Sequence, residues 1–126
     1  MSELPTGGHK SFRHRLPGTR NALTHRFEIA GSEGYITVGL YEDDTPGEIF
    51  LIMSKQGSVI AGLLEASAVQ TSLALQYNVP LGVMIEKFKT FRFEPAGVTS
   101  NPDIRLCTSV IDYIFRWLEL KFGGEP

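Results

Sequence analysis

Apolar and polar residues alternate along much of the region between residues 22 and 54, the pattern of strands with one buried face. Turn-forming residues separate three such segments, so we predict strands over 23–29, 35–41 and 49–53. The second segment is rich in β-branched and aromatic residues, which favour strands. Because the connections are short, the pattern predicts a three-stranded antiparallel meander within 22–54.

After Gly57 the apolar residues recur at helical spacing. The pattern predicts a long helix over 58–78 and a shorter helix that opens at Pro80. A final helix is predicted over 103–122, because segment 101–103 supplies an N-cap residue, a proline at the first helical position and an acid. The predicted fold class is therefore α+β, with the meander followed by two to three helices packed on one face.

The predicted final helix carries two apolar stripes, whereas a helix packed only on a sheet needs one. The second stripe predicts a homo-oligomer, a dimer, formed through this helix. The residues assigned to that interface are Val110, Tyr113, Ile114, Trp117 and Leu118. A competing interpretation is that the sheet and the helix over 58–78 consume both stripes within one chain.

Length and composition indicate one globular domain. The chain has 126 residues, of which 42% are hydrophobic and 21% charged, and this balance excludes intrinsic disorder and coiled-coil repeats. We predict the domain over 21–124 and a flexible basic arm over 1–20. No signal peptide or membrane-spanning segment is recognised, so a cytoplasmic protein without membrane contact is expected.

Charge is distributed unevenly along the chain. Residues 1–26 carry a net charge of +4 and residues 27–54 a net charge of −6, within a total of −2. The basic stretch could contact the acidic one, associate with another molecule, bind phosphates or remain a solvated tail. If the chain binds nucleic acid, the residues assigned to the phosphates are Lys10, Arg13, Arg15, Arg20, Arg26, Lys87, Lys89 and Arg92.

The residues alone indicate no catalytic site, metal site or cofactor site. Cys107 is the only cysteine, and its apolar neighbours predict a buried, unreactive thiol. His25 lies on the apolar face of a predicted strand and is expected to be structural. The acidic run 42–44 lacks the ligand spacing of a calcium loop and is expected to be a solvated turn.

Short sequence motifs nevertheless follow one another in a distinctive order. They are Leu16-Pro-Gly-Thr-Arg20, Thr24-His-Arg-Phe27, Glu33-Gly-Tyr-Ile-Thr-Val-Gly-Leu-Tyr-Glu-Asp43, Pro46-Gly-Glu-Ile-Phe50, Ser72-Leu-Ala-Leu-Gln-Tyr77, Val79-Pro-Leu81, Glu86-Lys-Phe88, Arg92-Phe-Glu-Pro95 and Asp112-Tyr-Ile-Phe-Arg-Trp117. Together they resemble the C-terminal, TSCPD-type region of adenosylcobalamin-dependent (class II) ribonucleotide reductases, over about residues 15–122.

The resemblance implies a fold and a lineage rather than an activity. Class II reductases use a cobalamin-generated thiyl radical and a pair of reducing thiols, so their chemistry needs at least three cysteines. This chain has one. No catalytic residue is carried over, because the matching region of the family holds none, and activity of this chain on its own is not expected.

Three functions remain open at this point. The first is a non-catalytic module that acts by self-association and by binding a partner such as a reductase-related protein. The second is a DNA- or RNA-binding protein that uses the basic arm and the nearby Lys and Arg residues. The third is a trans-acting piece of a split adenosylcobalamin-dependent ribonucleoside-diphosphate reductase. We rank them in that order.

Overall fold

Three antiparallel strands followed by three helices confirm the predicted α+β class. The computed structural model describes residues 12–123 of the chain. Its elements are β1 (Ala22–Ile29), β2 (Ser32–Leu40), β3 (Pro46–Met53), α1 (Ser58–Gln76), α2 (Leu81–Phe88), β4 (Gly97–Val98), β5 (Leu106–Cys107) and α3 (Val110–Phe122). The order β1-β2-β3 is the predicted meander, and β4 and β5 form a second, two-stranded sheet that was not predicted.

The hairpin between β1 and β2 closes through the two residues Ala30 and Gly31. Both have positive φ, 49° and 86°, as a type I′ hairpin turn requires. Ile29 pairs with Ser32, so β2 begins three residues before the strand predicted over 35–41.

One face of the meander is apolar and buried. Its buried side chains are Phe27, Ile29, Ile36, Val38, Ile49, Leu51 and Met53. Gly34 lets the ring of its cross-strand partner Phe27 lie over the β2 backbone, since a Cβ at this glycine would meet that ring at 2.6 Å. The Phe27 ring then stacks on Tyr113 of α3, with 4.6 Å between ring centroids. Helix α3 therefore covers the sheet at β1.

Helices α1 and α2 agree with the predicted pair. Helix α1 begins at Ser58, although Gly57 rather than Ser58 takes the N-cap position. Pro80 precedes the first residue of α2, as its fixed φ favours.

The final helix begins at Val110, so the predicted start at 103 is wrong. Asn101 Oδ1 accepts the N–H of Asp103 at 2.9 Å, which forms a local turn instead of a helix cap. The chain then continues into β5, and the N-cap of α3 is Ser109, whose Oγ accepts the N–H of Asp112 at 2.9 Å. The pairing of β5 with β4 overrides the local helix signal.

Helix α3 is enclosed within the domain, which corrects the predicted dimer interface. The five residues assigned to that interface are at most 2% exposed: Val110, Tyr113, Ile114, Trp117 and Leu118. The sheet covers one stripe, and α2 packs against α3, for example through the Phe88 and Phe115 rings at 5.3 Å. The competing interpretation was right that both stripes are used internally, but the second helix involved is α2 rather than α1.

Candidate protein-binding groove

Four of the eight basic residues predicted to contact phosphates have partners within the domain. Among residues 12–123 the pairs are Arg13–Gln76, Arg20–Glu48, Arg26 with Glu28 and Glu33, and Lys89–Glu119. Arg15, Lys87 and Arg92 are exposed, and Lys10 lies outside the described residues. Because carboxylates pair with three of these eight side chains, the structure does not strengthen the case for a phosphate-binding surface.

Part of the predicted N-terminal arm is anchored to the domain. The N–H of His14 donates to the Gln76 carbonyl at 2.8 Å, and the hydroxyl of Tyr41 donates to the His14 carbonyl. Arg13 Nε donates to Gln76 Oε1 at 2.7 Å. Residues 13 and 14 of the predicted arm thus contact the domain, while residues 1–11 lie outside the described part of the chain and the flexible arm over 1–20 stays a prediction.

Cys107 and His25 both occupy packed positions. Cys107 is 5% exposed, and burial raises the pKa of its thiol. His25 Nε2 lies 2.8 Å from the hydroxyl of Tyr113, and its ring stacks on Trp117 at 4.9 Å. Burial, with a smaller contribution from the charge of Lys121, lowers the pKa of His25. These surroundings favour a thiol and a neutral ring that stabilise the fold.

Asp112 is a buried carboxylate that sequence reasoning missed. It accepts the N–H of Thr90 at 2.7 Å, the N–H of Thr108 at 2.9 Å and Nε of Arg116 at 2.8 Å. Burial alone would raise its pKa, but the two backbone hydrogen bonds and the Arg116 guanidinium outweigh burial and lower the pKa. This carboxylate ties two loops to α3. The i,i+4 spacing of Asp112 and Arg116 was the available signal.

No metal centre is found within residues 12–123, where no cluster of three or more His, Cys, Asp or Glu side chains could hold an ion.

Helix α1 runs along the outer edge of β3 and covers part of it. Ser72 Oγ accepts the N–H of Ile49 at 2.8 Å, and its own proton faces the carbonyls of Ile49 and Ala68. Gln76 Nε2 donates to the Gly47 carbonyl at 2.9 Å. These contacts fasten the C-terminal half of α1 to the beginning of β3.

A groove of about 530 Å³ lies between β3 and α1. Its walls are mainly apolar: Ile49, Phe50, Leu51, Ile52 and Met53 from β3, with Ala61, Leu64, Ala68, Val69 and Leu73 from α1. Charged residues at its rim are Arg13, Glu48 and Glu65. A concave, mainly apolar surface with few polar groups is typical of a binding site.

Exposed apolar side chains surround this groove. On β3, Phe50 is 55% and Ile52 69% exposed, and on α1, Val69 is 53% and Leu73 38% exposed. We call the groove with these side chains the α1–β3 surface. Contiguous exposed apolar groups of this kind mark interaction sites more often than isolated ones.

The exposed residues also make α1 apolar on more than one side. Of the described residues, those of α1 form one helix long and apolar enough, by length and composition, to cross a membrane. Ser72 and Gln76, however, fix α1 to β3 as a helix of the domain. One side of α1 therefore packs on β3, while apolar residues on its other sides remain exposed.

Comparison with known proteins gives a consistent result. The TSCPD domain family model matches residues 10–122. Vitamin B12-dependent ribonucleotide reductases from Rhodopirellula baltica and Streptomyces coelicolor are 54% and 49% identical over 114 residues, and one from Bradyrhizobium diazoefficiens is 38% identical over 111. These matches cover 90%, 90% and 87% of this chain but 11%, 12% and 9% of the relatives. No solved structure matches.

Proposed function

This chain belongs to the TSCPD domain family and is homologous to the C-terminal domain of vitamin B12-dependent ribonucleotide reductases, and we propose that it is a non-catalytic, protein-binding module of such a reductase. In this proposal the α1–β3 surface docks on the remainder of the reductase. The proposal applies equally whether that remainder lies in the same chain or is bound in trans.

The exposed apolar side of the α1–β3 surface carries the proposal. Ile52 and Phe50 lie on the outer face of an edge strand, and Val69 lies on the neighbouring helix, all more than half exposed. Covering apolar surface contributes about 25 cal/mol for each Å² removed from water. A docking partner would supply that gain, less the cost of association.

A catalytic role for this chain alone is unsupported by its thiol chemistry. Nucleotide reduction by the family depends on several cysteines, and Cys107 is the single cysteine of this sequence. It is buried, and burial raises the pKa of its thiol, which disfavours the reactive thiolate. A module that contributes binding rather than thiols agrees with both observations.

The size of the relatives supports the choice of partner. The chain spans between 9% and 19% of the length of the B12-dependent reductases it matches, so in them this domain is joined to a much larger remainder. That remainder is the protein surface available to the domain most directly. The self-association predicted from the two apolar stripes of α3 is less well supported, because both stripes are buried within the domain.

The test compares two leucine-sized apolar residues of equal exposure. Ile52→Lys places a charge in the α1–β3 surface, whereas Leu106→Lys does so on β5, outside the groove, at a residue that is 67% exposed. The purified chain is mixed with a B12-dependent reductase that lacks its own matching C-terminal region, and the mass is measured by light scattering. We expect a complex with wild type and Leu106→Lys, and at least about a tenfold weaker one with Ile52→Lys.

Other outcomes would contradict the proposal. A complex that Ile52→Lys and Leu106→Lys weaken equally would place docking elsewhere. A homodimer without reductase binding would favour self-association, and salt-dependent binding to DNA or RNA without reductase binding would favour the nucleic-acid alternative.

A further inference from the structure

Strand β1 directs the backbone groups of alternate residues to β2 and to the outer edge of the sheet. At its start the Asn21 carbonyl accepts the N–H of Leu40 at 2.9 Å, so the odd-numbered residues face β2. Near its end Glu28 faces outward: its carbonyl accepts the N–H of Ser100 at 3.1 Å, and its N–H donates to Ser100 Oγ at 2.9 Å. Because residues two apart on an antiparallel strand direct their backbone groups to the same side, the even-numbered residues of β1 face outward.

The outward groups of Ala22, Thr24 and Arg26 form an open edge. All three residues are exposed, and between residues 12 and 123 no hydrogen bond reaches their outward N–H or C=O groups. The segment around Ser100 bonds β1 only at the Glu28 end, and α3 lies over the buried face of the sheet rather than along this edge. An exposed edge with unpaired backbone donors and acceptors is a template for another strand.

We infer that the chain forms a two-fold symmetric dimer, in which β1 pairs antiparallel with β1 of a second copy, here called the partner. The open stretch 22–26 is centred on Thr24, so the two-fold axis passes beside this residue. Ala22 then pairs with the partner's Arg26 and Thr24 with the partner's Thr24, and each pair exchanges two backbone hydrogen bonds. The stretch is therefore complementary to itself, as an interface about a two-fold axis requires, and the two meanders join into one sheet.

Side chains on the outer face of the sheet fit this register. Thr24 lies beside Thr37 of β2, with 3.1 Å between their hydroxyl oxygens. The two-fold axis places the partner's Thr24 on its other side, and contacts between threonines stabilise cross-strand pairs. Arg26 faces the small side chain of the partner's Ala22, and its charge is already paired with carboxylates of its own domain. No like charges therefore lie directly opposite each other in the stretch 22–26.

The other face of β1 contributes an apolar side chain. Leu23 is 38% exposed, although it lies on the face of the sheet that the core covers elsewhere. In the proposed register it lies opposite the partner's His25, whose ring stacks on Trp117 at 4.9 Å. Dimer formation covers Leu23 and removes its apolar surface from water, which favours association.

The opposite edge of the sheet limits the assembly to two copies. Ser72 and Gln76 fasten α1 along β3, so that edge is covered. Within residues 12–123, each three-stranded sheet therefore offers one open edge, and pairing closes at a dimer instead of extending into a filament. The β1 interface also lies at the far edge of the sheet from the α1–β3 surface, so the dimer is independent of the proposed function.

The first test measures the mass of the purified chain by light scattering as its concentration rises. The pairing is short, so we expect a reversible dimer with a Kd of about 10–100 μM and a mass that doubles as the concentration approaches about 1 mM. Thr24→Lys places two positive charges opposite each other at the axis, and Thr24→Glu places two negative charges there. Because like charges directly opposite are destabilising, each variant should weaken the dimer at least about tenfold.

Mixing and a matched control make this test specific. An equimolar mixture of Thr24→Lys and Thr24→Glu should restore a dimer, since opposite charges then face each other across the axis. Thr37→Lys removes the other member of the same threonine pair but lies on the central strand, so it should change the Kd less than about twofold. Circular dichroism of each variant checks that the domain is folded.

The second test measures amide hydrogen exchange at low and high protein concentration. Exchange of the Ala22 and Thr24 amides should slow about threefold or more at about 1 mM, because their N–H groups are free in the monomer. The amides of Leu23 and His25, already bonded to β2, should change less. A mass of one chain at about 1 mM, a dimer that Thr24→Lys and Thr37→Lys weaken equally, a mixture that restores nothing, or unchanged exchange at Ala22 and Thr24 would each overturn the inference.

Discussion

Replacement of the buried carboxylate in Asp112→Asn keeps the shape of the side chain and removes its charge. Oδ1 accepts from Thr90 N–H and Arg116 Nε, and Oδ2 accepts from Thr108 N–H. An amide has one oxygen, so a buried N–H must then face an NH₂ group. A hydrogen bond to a charged group contributes about 1.5–3 kcal/mol, and a buried unsatisfied donor costs about 1–3 kcal/mol. Because these effects overlap, we expect the free energy of unfolding to fall by about 2–4 kcal/mol.

Urea unfolding followed by circular dichroism measures this difference at neutral pH. The matched control is Asp103→Asn, since Asp103 is exposed, and this change should alter the free energy of unfolding by less than about 0.5 kcal/mol. A variant Asp112→Asn as stable as that control would refute the role assigned to the carboxylate.

The pH dependence provides a second check on Asp112. Its folded pKa lies below the usual value of 3.8, so its stabilising contribution is complete above that pH and is lost as the pH falls through the folded pKa. The stability difference between wild type and Asp112→Asn should therefore narrow in acid. A difference that stays constant as the wild-type carboxylate becomes protonated would contradict the reasoning.

Three further predictions concern packed polar groups. Ser72→Ala removes the hydroxyl bonded to Ile49 and should lower the free energy of unfolding by about 1 kcal/mol in urea; no change would contradict the edge contact. Cys107→Ser should lower the free energy of unfolding by about 1 kcal/mol and leave reductase binding intact. A folded variant that no longer binds the reductase would contradict a purely structural role for the thiol. Burial lowers the pKa of His25 below 6.5, so the contribution of its neutral ring to the free energy of unfolding is lost as the pH falls through the folded pKa. An NMR titration midpoint for His25 at or above 6.5 would contradict this prediction.

The meander could be predicted from sequence because its signals are local. Apolar residues such as Phe27 and Ile29 alternate with polar residues, which indicates a strand directly. The turn residues then limit where each strand can end. The segment after Pro80 similarly predicted α2. Family membership could also be predicted from the sequence, because the order of short motifs along the chain can be compared without knowledge of any three-dimensional contact.

The start of α3 could not be predicted, since segment 101–103 carries the residues of a helix start. Its turn was decided by distant partners: Asn101 also bonds the Tyr113 hydroxyl, and the following residues pair as β5 with β4. A helix signal fixes only local preference, and tertiary packing overrides it when more groups are satisfied elsewhere.

Which apolar surfaces remain exposed was likewise decided by the tertiary structure. Sequence showed that α3 has two apolar stripes and that α1 is apolar, but Trp117 is 2% exposed while Val69 is 53% exposed. Periodicity reports that a side chain is apolar, whereas its burial depends on which elements pack over it. The groove beside β3 arises in the same way, because α1 bonds β3 at Ile49 and leaves the apolar side chains of both elements exposed next to that contact.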